Sequence, residues 1–155
     1  METDILTIRI ATEDDLETLA TFNEAMARET EDKTLDVATV RAGVHALLND
    51  PSRGFYLVAE HEGDVVGALM VTTEWSDWRN ASFWWLQSVY VKPSARQQGV
   101  YSALYDHVKQ QARTEGGVCG LRLYVERSNV AARQAYLALG MTETSYCMYE
   151  EMLTE

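Results

Sequence analysis

The residues best suited to chemistry lie between Ser88 and Leu104. Val89, Tyr90, Val91, Lys92 and Pro93 read as the end of a strand, the next few residues as a short polar loop, and Gly99 as the opening of a helix. A helix start leaves its first backbone N–H groups without intrahelical acceptors, and the helix dipole adds partial positive charge there. Such a place holds phosphate. Arg96 adds a full charge at its mouth, and Gly99 lets a ligand approach the backbone closely. On the residues alone, an ordinary strand-to-helix turn is the competing reading. The stretch lacks the Gly-Lys-Ser/Thr ending of a nucleotide P-loop and the three spaced glycines of a dinucleotide fold.

The elements that must position this segment follow from periodicity. Leu6 to Ala11 alternates as a first strand. Thr12 and Asp15 open a helix with an acidic first turn, carrying Leu16, Leu19, Ala20, Met26 and Ala27 at helical spacing. A second helix starts at Asp36, carries Val37, Val40, Val44, Leu47 and Leu48 on one face, and stops before Pro51. Phe55 to His61 and Val65 to Trp75 form a hairpin about the turn at Gly63. A polar loop from Ser76 to Asn80 leads to an aromatic strand from Ser82 to Val91. The helix from Gly99 to Glu115 puts Val100, Ala103, Leu104, Val108 and Ala112 inward, with His107 on the same face. Val118 to Val125 is a strand, and Asn129 to Leu139 a helix with Ala132, Ala135, Tyr136 and Leu139 on one stripe. Gly140 caps that helix, and Ser145 to Met152 is a last strand. The order implies an α/β chain: a mixed, mostly antiparallel sheet with one parallel pair and helices on both faces.

Composition bounds the rest. The 155 residues suit one domain, spanning 1–155, and 46% of them are apolar. No apolar run approaches a membrane span, and the acidic residues 1–4 do not begin a signal peptide, so a cytoplasmic protein is expected. Asp and Glu outnumber Lys and Arg by 24 to 13, a net charge of -11, which disfavours nucleic acid and anionic membranes as partners. Cys119 and Cys147 lack neighbours at ligand spacing, so no metal is expected, and both read as small buried hydrophobes.

Two motifs then carry a resemblance. Arg96-Gln97-Gln98-Gly99-Val100, following Val89 to Pro93, resembles the acetyl-CoA signature Gln/Arg-x-x-Gly-x-Gly/Ala of the GNAT superfamily of N-acetyltransferases. Asn129, Ala132, Tyr136, Gly140 and Met141 are similar to that family's Asn-x-x-Ala-x-x-x-Tyr-x-x-x-Gly-Phe/Met helix, at the family's distance from the first motif. The chain departs from the pattern at Tyr101, where relatives have Gly or Ala, and in its tail, long enough for one strand where many relatives have two. The uncovered edge is a docking surface for a partner chain, which leaves a homodimer open.

The resemblance implies a splayed strand whose Val89, Tyr90 and Val91 backbone meets the pantetheine arm of acetyl-CoA. It implies a pyrophosphate on the amides of Gln97, Gln98, Gly99, Val100, Tyr101 and Ser102, with Asn129 and Ala132 contributing from the later helix. An amide near Val89 would polarise the thioester carbonyl, a primary amine would attack directly, and Tyr136 would protonate the departing thiolate. Tyr136 also fits a plain core position, and Asn129 a helix cap. Many relatives carry a Glu in the strand entering the signature; Gln87 stands in that stretch and is no base. A water relay to Glu24, Glu29 or Glu74, or an acceptor that arrives neutral, would replace it. Acidic residues and Trp75 and Trp85 suit a cationic amine, either a small molecule or a peptide N-terminus. The competing class is a catalytically silent acyl-CoA-binding module.

Overall fold

The computed structural model describes residues 5–154; the acidic N-terminus, residues 1–4, lies outside the described residues. The chain divides into two compact units, one up to Leu123 and one from Tyr124 onward.

The first unit holds β1 (Leu6–Ile10), α1 (Leu16–Glu31), α2 (Val37–Leu48), β2 (Phe55–His61), β3 (Asp64–Ser76), β4 (Ala81–Val91), α3 (Val100–Glu115) and β5 (Val118–Arg122). Its sheet runs β1-β2-β3-β4-β5. The first four strands pair antiparallel and β4 pairs β5 in parallel, a connection that needs a crossover, which α3 supplies. Strand alternation sorts the core. Tyr56, Val58, Ala68 and Tyr90 point to one face and pack with Leu19, Phe22, Val44 and Leu47 of α1 and α2. Leu57, Leu69 and Val71 occupy the alternate positions and are fully buried. Val100, Leu104, Tyr105, Val108 and Ala112 form the buried stripe of α3. A Cβ at Gly67 would meet Val100 Cγ1 at 2.9 Å, so the glycine is what lets α3 begin this close to β3.

Local chemistry sets the ends. Thr12 and Asp15 form the capping box, with the Thr12 N–H donating to Asp15 Oδ2 at 2.7 Å. Asp15 is buried and held by Arg9 at 2.8 Å, which keeps its carboxyl below the ordinary range. The Asp36 carboxylate caps α2 through the Thr39 N–H.

The second unit holds α4 (Val130–Ala138), capped by Asn129, whose Oδ1 accepts from the Ala132 N–H at 3.1 Å. No residue of α4 is fully buried; a unit of this length has too little chain to enclose an apolar stripe. The strand expected at Ser145–Met152 is not formed. Its alternation survives as exposed Tyr146, Met148 and Met152, because alternation defines a face while a strand also requires a backbone partner. The strand expected to reach Val125 likewise ends at Arg122, where its pairing with β4 ends. Both cysteines are exposed, which corrects their placement as core residues: Cys119 falls on the sheet's edge strand, and Cys147 in the unpaired tail. Ala103 and His107 are half-buried, and Tyr105 takes the inward position between Leu104 and Val108. His107 lies in an open cavity of about 580 Å³ with Asp106, Gln110 and Thr114, none of them a candidate site residue.

Candidate active site

The candidate site begins with an irregularity in β4. Ala68 pairs Tyr90 and Met70 pairs Gln87, so one residue of β3 faces two of β4, Ser88 and Val89. That is a β-bulge. Ser88 takes φ +50 there, a conformation a serine adopts only when its surroundings impose it. The parallel pairing of β4 with β5 ends at Trp85 opposite Arg122, so from Leu86 to Val91 β4 is laddered to β3 alone. Half-buried Val89 and Val91 and buried Tyr90 belong to this unshared stretch.

The loop that follows is shaped by its backbone. Pro93–Ala95 make a 3-10 turn, Gln97 takes φ +64, and Gly99 φ +80. The first intrahelical bond of α3 runs from the Ala103 N–H to Gly99 O at 3.0 Å, leaving first-turn amides, those of Val100 and Ser102 among them, without an intrahelical acceptor. The space a Cβ would take at Gly99 is open. An exposed run of Arg96, Gln97, Gln98 and Gly99 is anchored on buried Val100, and Gln98 Nε2 donates to Ser94 O at 3.1 Å. This cradle fits a pyrophosphate. Tyr101 does not overhang it: the ring is half-buried and packs 6.2 Å from that of Tyr105, one turn along the helix.

Arg96 is engaged. Its Nε donates to Val91 O at 2.9 Å and its Nη2 to Glu29 Oε2 at 2.7 Å. Glu29 Oε1 accepts from the Tyr90 hydroxyl at 3.2 Å. The Arg96 guanidinium therefore holds the Glu29 carboxyl below its ordinary range, and burial, then the Glu29 charge, pushes the Tyr90 phenol up.

A second cluster of candidate residues shares the α1/α2 face of the sheet. Cross-strand pairing puts Glu74 opposite Phe83, Thr72 opposite Trp85 and Met70 opposite Gln87, all on the face to which Tyr90 also points. Trp85 Nε1 donates to Glu74 Oε1 at 3.0 Å, and Arg122 Nη1 to the same oxygen at 2.8 Å. These bonds, that from Trp85 foremost, lower the Glu74 pKa. Arg122 also lies 3.5 Å over the Phe83 ring. Gln87 Nε2 donates to Thr72 Oγ1 at 3.0 Å. Trp84 is buried while Trp85 is half-exposed, and Trp75 and Trp78 stand in solvent. Glu24 is half-buried on α1. Thr72, Ser88 and Arg122 escape a reading of motifs; cross-strand register alone brings Thr72 and Arg122 in, and Ser88 carries no signal beyond its place in a long strand.

Two candidate carboxylates thus have lowered pKa values, Glu29 through Arg96 and Glu74 through Trp85 and then Arg122, which makes them poor proton acceptors. In the second unit, Asn129 and Ala132 are occupied in the cap, and burial pushes the Tyr136 phenol above its usual value.

Comparison with known proteins agrees with this geometry. Residues 13–141 match the Acetyltransferase (GNAT) family, and the chain belongs to that family, whose acetyl donor is acetyl-CoA. A possible acetyltransferase from Clostridium difficile 630 is 42% identical, with a TM-score of 0.91 over 98% of this chain and 100% of that one. The aminoglycoside N-acetyltransferase AAC(6')-Iy in complex with CoA shares the fold at 16% identity, TM-score 0.78, over 99% and 98% of the two chains. So does a ribosomal-protein-alanine N-acetyltransferase from Brucella melitensis biovar Abortus 2308, at 18% identity, TM-score 0.78, over 97% and 100%. Among curated protein sequences none matches significantly. No helix of the described residues is long and apolar enough to cross a membrane.

Proposed function

We propose that the chain, acting as one domain over residues 1–155, is an N-acetyltransferase that moves an acetyl group from acetyl-CoA to a primary amine by direct attack. The observation that carries this is the bulge at Ser88 and Val89 leading straight into the Gln97–Ser102 cradle. The bulge re-aims backbone where a thioester carbonyl would need a donor, and the Val89 amide is the group we assign to it. Val89, Tyr90 and Val91 hold the pantetheine arm through their backbone, and the amides of Gln97 through Ser102 hold the pyrophosphate. Asn129, the cap of α4, and Ala132 within it contribute as well. Tyr136, protonated at neutral pH and more so for being half-buried, gives its proton to the leaving thiolate, and its phenolate takes up the proton that the amine nitrogen sheds.

The acceptor arrives as the neutral amine. Gln87 does not take protons, and Glu29 and Glu74 are held ionised. Gln87, Glu24, Glu74, Trp75 and Trp85 orient the amine instead, and the relatives that act on aminoglycosides and on a ribosomal protein mark the two acceptor classes to try first, a small polyamine and a peptide N-terminus. The uncovered sheet edge pairs with a second copy in a homodimer, and the protein works in the cytoplasm.

Thiol release from acetyl-CoA over a panel of amines tests the activity. Tyr136→Phe should lower kcat by about 10²–10⁴-fold with coenzyme A binding retained; unchanged turnover would remove Tyr136 from the mechanism. With two acceptors of different amine pKa, kcat/KM should rise tenfold per pH unit below each amine's own pKa. An acidic limb at one pH for both would reveal a protein base.

A further inference from the structure

Arg96 is the only full charge of the Arg96–Ser102 loop, yet it is not turned out toward a ligand. Val91 O fixes its Nε edge and Glu29, on the last turn of α1, occupies Nη2. The pair is open to solvent on both sides, with side-chain exposures of 45% for Arg96 and 39% for Glu29, so water and ions reach it and it is weakly held. Tyr90 donates to the other oxygen of the same carboxylate at 3.2 Å and lies under the guanidinium, 5.6 Å from ring centre to Cζ. A guanidinium carries five N–H donors in a rigid fork that matches phosphate as well as carboxylate. Since the bond to Val91 O anchors the arginine at the loop, an incoming phosphate need displace only Glu29, which leaves Arg96 where it stands.

We propose that Glu29 is a competing internal anion: it occupies Arg96 in the free protein and yields it to a phosphate of the acyl donor. This rests on the reading of the Arg96–Ser102 loop as the donor's phosphate cradle. Binding of the donor then frees a carboxylate on α1, on the face of the sheet that carries Gln87, Trp85 and Glu74, where a cationic group of the acceptor other than the attacking amine can take the place Arg96 held. The two ligands thereby favour each other, and by linkage the effect is equal in both directions. Glu29 is a positioning residue in this scheme and touches no reacting atom.

The test is calorimetric titration of coenzyme A into wild type, Glu29→Gln, Arg96→Ala and the double variant at fixed ionic strength. Gln keeps the size of Glu29 and still accepts from Tyr90, while removing the charge. Glu29→Gln should tighten coenzyme A about two- to fivefold, the size of an exposed ion pair, and in the Arg96→Ala background the same substitution should gain nothing. A general effect of removing one negative charge would persist in that background and would overturn the proposal. Equal or weaker binding by Glu29→Gln would overturn it as well, since a purely structural latch loses affinity when broken. Failure of wild type to bind coenzyme A at all would instead bring down the donor-site reading, and this inference with it.

Discussion

At the Val89 end of β4 the candidate groups are backbone: a bulge, residues at positive φ, and the first amides of α3. At the Ser82 end of the same strand, on the α1/α2 face, they are side chains, with Glu74, Trp85 and Arg122 sharing one carboxylate oxygen and Gln87 tied to Thr72. Every residue type but proline supplies a backbone N–H, so a backbone site survives exchange of most of its side chains provided the turn is kept. A side-chain site changes with each substitution. One fold can therefore keep its acyl donor while it varies its acceptor, and relatives at 16% and 18% identity share the architecture with acceptors as unlike as an aminoglycoside and a ribosomal protein.

Gly99→Val breaks the donor half most severely. A β-branched residue at φ +80 costs about 1–3 kcal/mol of backbone strain, and its side chain enters the open space of the cradle. Affinity for acetyl-CoA should fall tenfold or more by calorimetry, with the fold unchanged by circular dichroism; full affinity would mean that the backbone does not form the site. On the acceptor half the expected effect is smaller. Glu74→Gln removes an exposed charge paired to Arg122 and should raise the acceptor KM about two- to fivefold, with acetyl-CoA affinity untouched. If affinity for acetyl-CoA alone fell instead, Glu74 would belong to the donor half. The pH behaviour of this residue has a definite sign. Its folded pKa is depressed, so its contribution to stability is present above the ordinary carboxylate pKa and is lost as pH falls through the lowered one. Acceptor binding by wild type should thus show no Glu74-dependent change between pH 6 and pH 9, roughly, well above the usual carboxylate range.

The same contrast explains what was legible in the chain. The glycine at 99, the strand before it and the helix after it announce the cradle, because positive φ and helix starts have local signatures. The hairpin about Gly63 and the cap at Asp36 are local in the same sense. The bulge was not legible: Ser88 lies within a continuous apolar strand, and only its register against β3 shows that two residues face one. Nor was the pairing of Arg96 with Glu29, 67 positions apart, so Arg96 stood in the sequence as an unattached cation. The tail failed for another reason. Tyr146, Met148 and Met152 alternate as a strand should, but periodicity specifies a face and cannot supply the edge that completes a ladder.

The most direct test of the central claim, that this loop and bulge hold acetyl-CoA, is calorimetric titration of the wild-type protein with acetyl-CoA, repeated with coenzyme A lacking the acetyl group. Binding at micromolar concentration or tighter by both, since the cradle grips the part they share, is the predicted result. Absence of binding by either would contradict it, and the acetyltransferase reading of this chain would fall.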